Sequence, residues 1–200
     1  MTLIGLTGGI GMGKSTVANL LQGRGLPIVD TDALAREVVQ PGKPALEEIR
    51  RVFGKSVLGP DGQLRRDELA RLVFSDETRR KQLEAIMHPE IRKRWLAQVE
   101  AWRTEGQSCG VVVIPLLFET GAAACFDTIL CVSCSTATQH QRLLARGWSP
   151  RQIQQRLDAQ WPIDKKIALA HYVLWSEGGL DLLDPQIEAI LRKLTSNKTP

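Results

Sequence analysis

The sequence predicts an α/β fold of three layers, α/β/α, built on a five-stranded parallel sheet with two helical insertions. Three observations lead there. Short, nearly continuous apolar runs recur along the 200 residues, the pattern of strands buried on both faces. Stretches with helical apolar spacing separate those runs. The first run passes through a glycine-rich turn directly into such a stretch.

The runs expected to be strands are Thr2–Thr7, Leu26–Val29, Gly110–Ile114, Asp127–Cys134 and His171–Trp175. After the first, residues 14–24 place Val17, Leu20 and Leu21 on one helix face, and Gly25 stands where a helix stop belongs. The connection from Asp32 to Ser108 is too long for one crossover helix and predicts a helical insertion. Pro41-Gly42, Gly59 to Gly62 and His88-Pro89 punctuate it. A second insertion, about Thr136 to Lys166, carries Gly147 and the helix-start pair Ser149-Pro150. Leu180 to Leu194 reads as a closing amphipathic helix. The expected division is therefore a core of residues 1–31, 109–135 and 170–200, a helical region at 32–108 and a lid at 136–169. Both excursions leave the carboxyl ends of strands, where parallel sheets bind ligands.

Apolar residues make up 43% and charged residues 24% of the chain, ordinary globular usage that argues against disorder. The net charge of +4 is spread without a basic block, so no nucleic-acid partner is expected, while anionic small substrates suit it. Cys131 and Cys134 lie three apart in a strand, on opposite faces, and are not expected to share a disulfide or a metal. Four reduced, mostly buried thiols in a cytoplasmic protein are the expectation. The amino terminus lacks a basic start and reads as a strand, not a signal peptide. The longest apolar run, Gly110 to Phe118, is too short to cross a membrane.

Gly8-Gly9-Ile10-Gly11-Met12-Gly13-Lys14-Ser15 fits G-x-x-x-x-G-K-[ST], a P-loop, between a strand and a helix. Its backbone N–H groups and the helix dipole suit phosphate oxygens. Lys14 is expected on the β- and γ-phosphates and the Ser15 hydroxyl on Mg2+, with Thr16 following. The fold is then that of the P-loop nucleoside-triphosphate hydrolases.

Asp30 and Asp32 follow the second run. If the chain stays extended, both carboxylates face one way from the end of that strand, with the P-loop expected on the neighbouring strand. Asp32 is the candidate base for an attacking hydroxyl, and Asp30 a support for the metal's water shell. One of them is equally a cap for a helix over Ala33–Val39. Arg142 with Arg146, and Arg156 with Gln160, sit four apart and so share helix faces, each pair suited to one anion. Lone arginines on helices are also ordinary solvated charges. His88-Pro89 is read as a helix start, with Arg92 one turn on. Leu116, Leu117 and Phe118 line an acceptor pocket or belong to the core, and Glu119 is the most exposed polar candidate.

Together these segments resemble the dephospho-coenzyme A kinase family over nearly the whole chain. The residues that carry the resemblance are Leu6 to Ser15, Val29-Asp-Thr-Asp-Ala-Leu-Ala-Arg-Glu-Val38, His88 to Arg92, Pro115 to Glu119, and the set Arg142, Arg146, Arg156 and Gln160. The resemblance implies transfer of the ATP γ-phosphoryl group to the ribose 3′-hydroxyl of dephospho-coenzyme A, with Mg2+. It places Asp32, Lys14 and Arg142 at the chemistry and the P-loop with Arg142 and Arg146 on ATP. It places Asp30, Asp32, Arg36, His88, Arg92, Leu116, Glu119, Arg156 and Gln160 on the acceptor. Three positions depart from the family pattern: Gly147 replaces an Asp, and His171 and Ser176 replace residues of a segment expected to meet the ATP base. A monomer or weak homo-oligomer is expected. The alternatives are a P-loop kinase for another small molecule or a nucleoside monophosphate, and an ATP-dependent switch. A switch lacks a phosphorylated small product.

Overall fold

In the computed structural model, which describes residues 1–74 and 76–196, all five strands form close to their expected bounds. They are β1 (Thr2–Gly8), β2 (Ile28–Asp30), β3 (Cys109–Val113), β4 (Thr128–Ser133) and β5 (Tyr172–Trp175). The sheet order is β2-β3-β1-β4-β5, and β1 pairs in parallel with both β3 and β4. This order corrects one expectation. The second strand is not the neighbour of the first, because β3 returns between them. The order reverses at β1, and such a switch point is where an open α/β sheet forms its ligand crevice.

Alternation along the strands sorts the core. Ile4, Leu6, Val111, Val113, Leu130, Val132 and Leu174 pack on one face with Val17 and Leu21 of α1 (Lys14–Gly23). Leu183, Ile187 and Ile190 of α9 (Leu180–Ser196) complete that cluster. Each such buried side chain contributes about 1.5–3 kcal/mol. On the opposite face Gly5 lets Leu117 and Phe126 approach the strand, since a Cβ there would lie 2.7 Å from Leu117 and 2.9 Å from Phe126. The stop at the end of α1 is a complete Schellman closure: Leu26 N–H donates to Leu21 O and Gly25 N–H to Gln22 O.

The chain divides into two compact units, one of Met1–Val29 with the chain from Trp102 on, the other Asp30–Ala101. The second unit has its own core. Val38, Val39 and Leu69 pack there with Ala45, Leu46, Ile49 and Phe53 of one helix. Its helices are α2 (Thr31–Glu37), α3 (Pro44–Phe53), α4 (Arg66–Phe74) and α5 (Glu77–Thr104), the last of which runs on into the first unit.

Two expectations fail in this region. His88-Pro89 does not open a helix, because Pro89 lies inside α5. A proline in a helix interior costs about 3 kcal/mol. Leu83, Ile86, Met87 and Ile91 all pack on the unit's core, and that burial outweighs the lost N–H. The chain also does not stay extended through Asp32. It turns helical at Thr31, and Asp30 caps α2 by accepting the Asp32 N–H at 2.8 Å.

Beyond β4 come α6 (Thr136–Ala145), α7 (Pro150–Asp158) and α8 (Ile163–Leu169). Ser149 and Gln152 form a capping box at α7, as the Ser-Pro signal predicts. Gly147, at φ +81°, closes α6, with its N–H on Leu144 O and Trp148 N–H on Leu143 O. The Gly that departs from the family pattern therefore occupies a left-handed position that glycine favours. Among the described residues no helix is long and apolar enough to cross a membrane.

Candidate functional site

The P-loop wraps from the end of β1 to the start of α1. Gly8 has φ +146°, and a Cβ there would lie 2.3 Å from Val132 O, so the chain can leave β1 beside β4 only through glycine. Gly13 caps α1 in the left-handed region without a side-chain hydrogen bond, which leaves the first amides of α1 pointing into the loop without a side-chain cap. Lys14 Nζ donates to Gly8 O and Gly9 O, both at 2.9 Å, and so arches over the loop. Ser15 and Thr16 are exposed on the first turn. Exposed hydroxyls beside a helix amino terminus fit a hard cation and its phosphate ligands.

Alongside the loop is a cavity of about 280 Å3, lined by Gly11, Gly13, Thr16, Arg142, Arg146 and Ser176, with Leu180 and Leu183 as an apolar side. Arg142 is forked onto one residue: Nη1 donates to Ser176 Oγ at 3.0 Å and Nη2 to Ser176 O at 2.6 Å. Ser176 Oγ in turn donates to Met12 O of the P-loop at 2.8 Å. Helix α6, the P-loop and the segment after β5 are thus joined through one buried serine. The departure at this position keeps a polar atom where the loop needs one. His171 does likewise, its Nδ1 accepting the Ile129 N–H at 3.0 Å.

Glu177 adds a second tie. Its carboxylate accepts from the Ser135 and Thr138 hydroxyls and from the Ser135 N–H. The Ser135 hydroxyl, then that of Thr138, hold its pKa below the ordinary carboxylate value. Burial pushes the Cys131 thiol up to about 11 against the pull of Lys166 and Lys14, so it stays protonated at neutral pH.

The stretch around α7 and α8 corrects two expectations. Glu119 is not an exposed polar group. It pairs with Lys166 at 2.7 Å, and the two side chains are 14% and 0% exposed. The same Oε1 accepts the Trp161 N–H at 2.9 Å, and Lys166 Nζ also donates to Pro115 O at 2.9 Å. Arg156 and Gln160 do not share a helix face, because α7 ends at Asp158. Arg156 lies over the Trp148 ring, 4.2 Å from its centroid. Gln160 Oε1 instead accepts the Ile10 N–H of the P-loop at 3.2 Å, while Gln139 Nε2 donates to Ile10 O at 2.7 Å. Leu117 and Phe118 are buried in the core and Leu116 is half-buried.

Gln139, Lys166 and Glu177 were not singled out from sequence. Gln139 had a signal, since it sits one turn before Arg142 and Leu143 on α6. Lys166 had none, because a lysine in a short helix reads as solvated.

The second unit presents Asp30 at the cap of α2, Asp32 in its first turn and Arg36 in its last, all exposed. His88 and Arg92 are exposed on successive turns of α5.

The model of the family described as dephospho-CoA kinase matches residues 2–181. A dephospho-CoA kinase of Anaeromyxobacter dehalogenans is 42% identical over 199 residues, covering 99% of this chain and 94% of the relative. One from Bacillus anthracis is 40% identical over 192 residues, covering 96% of each. A solved structure from Thermus thermophilus, TT1252, superposes with a TM-score of 0.83 at 37% identity, over 100% of this chain and 98% of that one. A Campylobacter jejuni dephospho-CoA kinase shares the fold at a TM-score of 0.73 and 22% identity, over 98% of both chains. With a P-loop, an arginine of α6 anchored beside it and these matches over nearly its full length, the chain belongs to the dephospho-CoA kinase family.

Proposed function

We propose that the chain transfers the γ-phosphoryl group of ATP to the ribose 3′-hydroxyl of dephospho-coenzyme A, releasing ADP and coenzyme A, with Asp32 as the base. The observation that carries the reading is the P-loop cradle joined through Ser176 to Arg142 at a cavity beside Gly13 and Thr16.

The loop amides and Lys14 hold the β- and γ-phosphates, and Arg142 and Arg146 steady charge on the same chain of phosphates. Lys14 gives up its two carbonyl partners for phosphate oxygens, which are stronger, charged acceptors. Asp32, an exposed carboxylate on the first turn of α2, accepts the proton of the attacking hydroxyl. Asp30 holds that turn in place by capping it. Residues 32–108 take the coenzyme portion of the acceptor, with Arg36, His88 and Arg92 as its polar contacts, and residues 136–169 act as the lid.

The exposed Ser15 hydroxyl fits Mg2+ and would hold it, with Asp30 or Asp32 as the carboxylate that would support its water shell. When bound, the ion supplies charge neutralisation at the β- and γ-oxygens. The chain works in the cytoplasm as a monomer or weak homo-oligomer.

A coupled ADP-release assay across dephospho-coenzyme A, shikimate and nucleoside monophosphates tests the reading. Mg2+-dependent ADP with dephospho-coenzyme A alone is expected. ADP formed only with one of the other acceptors sinks it.

A further inference from the structure

We propose that Glu119 and Lys166 are positioning residues for the phosphoryl transfer, fixing the stretch 160–166 so that Gln160 holds the Ile10 peptide of the P-loop. The proposal rests on the kinase reading above.

A fully buried lysine and a nearly buried glutamate form an expensive pair. Taking both charges out of water costs several kcal/mol per ion, and apolar residues of similar volume serve stability as well. A pair of this kind is better explained by what it orients. Its surroundings show what that is. Glu119 Oε1 is shared by Lys166 Nζ and the Trp161 N–H, one residue from Gln160. Lys166 also grips Pro115 O, and that same carbonyl accepts the Thr7 hydroxyl at 3.2 Å, just ahead of the P-loop. Two anchors on the core, Pro115 and Glu119, thus hold the middle of α8 at Lys166 and the peptide N–H of Trp161 ahead of it.

Gln160 is the consequence. Its amide oxygen accepts the Ile10 N–H, and Gln139 donates to the Ile10 carbonyl, so the two successive peptides that flank the Ile10 Cα are both held by side chains from residues 136–169. Ile10 lies between Gly9 and Gly11, where the backbone is free to turn. Fixing it fixes the directions of the amides that follow. A displacement of 1 Å at a phosphate cradle is enough to cost about a hundredfold in rate. Glu119 Oε2 is buried with no hydrogen-bond partner, so the carboxylate's whole polar function is spent through Oε1.

The test compares three proteins with wild type: Gln160→Leu, the double variant Glu119→Leu/Lys166→Met, and the triple. The double removes both charges together and leaves neither buried alone, so it is expected to fold with a Tm near wild type. Each protein is measured for affinity toward a non-hydrolysable ATP analogue and for kcat and KM with dephospho-coenzyme A. Gln160→Leu and the double are each expected to weaken analogue binding roughly five- to tenfold, the worth of one hydrogen bond. The kcat should fall about ten- to a hundredfold. The triple should be no worse than Gln160→Leu alone, because the pair acts only through Gln160.

Effects that multiply in the triple, or a double variant with wild-type constants, overturn the proposal. Should the double fail to fold, Glu119→Gln/Lys166→Met replaces it, since it buries no charge alone and keeps an amide oxygen for the Trp161 N–H. Losses that multiply when Gln160→Leu is added to it are again the overturning result. A wild-type protein inactive toward dephospho-coenzyme A would sink the kinase reading instead, while analogue affinity still reports on the Gln160 coupling.

Discussion

At the scale of single residues, the P-loop tolerates little because its neighbours are backbone, which cannot rotate away. Gly8 is the sharpest case: a Cβ would meet Val132 O at 2.3 Å, and φ is +146°. Gly8→Ala is therefore expected to cost at least ~2 kcal/mol. Read by chemical denaturation, an unchanged midpoint would show that the loop re-forms another way. The motif's residues were legible from sequence because G-x-x-x-x-G-K-[ST] encodes a backbone requirement. The roles of Glu119 and Gln160 were not. Both are long polar side chains on loops, and only the fold shows that one turns into a buried pair and the other toward Ile10. Asp30 and Asp32 were legible as a pair but not in their geometry. The Asx cap that bends the chain into α2 wins over continued extension, since it satisfies a helix amide at once.

Among the elements, strands were the most readable, because burial on both faces demands an apolar run of limited length. Helix α5 was misread at Pro89, where local propensity was overridden by packing on both sides of the proline. The attachment of α6 was not readable at all, since it depends on Glu177 meeting Ser135 and Thr138, residues some forty positions earlier in the chain. That attachment carries a pH dependence. The Ser135 and Thr138 hydroxyls depress the folded-state pKa of Glu177 below its ordinary 4.5. The stabilisation is thus fully present above the ordinary value and is lost as pH falls through the depressed one. Nucleotide-analogue affinity should be flat from neutral pH to about 5 and fall below the ordinary carboxylate range. Glu177→Gln should show part of that weakening already at pH 7. A variant matching wild type at pH 7 and in acid would remove Glu177 from the support of the cavity.

On the scale of the whole molecule, the two units divide the proposed work, and that division can be measured. Every residue lining the cavity beside the P-loop belongs to the first unit, as do Lys14, Arg142 of α6 and Arg146 just after it. Asp32, Arg36, His88 and Arg92 belong to the second. ATP alone should then stabilise the protein through the first unit. At a hundredfold excess over Kd the gain is about 2.7 kcal/mol, or roughly 5–10 °C in Tm for a chain of this length. Asp32→Asn should keep that shift in full while losing turnover by about 10²–10⁴, the usual worth of a general base. Arg142→Met should do the reverse in part: it shrinks the ATP shift, because it removes the fork on Ser176 that holds α6 to the P-loop. The decisive comparison is Asp32→Asn with and without ATP in the same melt. If its ATP shift collapses along with kcat, Asp32 is supporting nucleotide binding and not proton transfer, and the base must be sought elsewhere in the second unit.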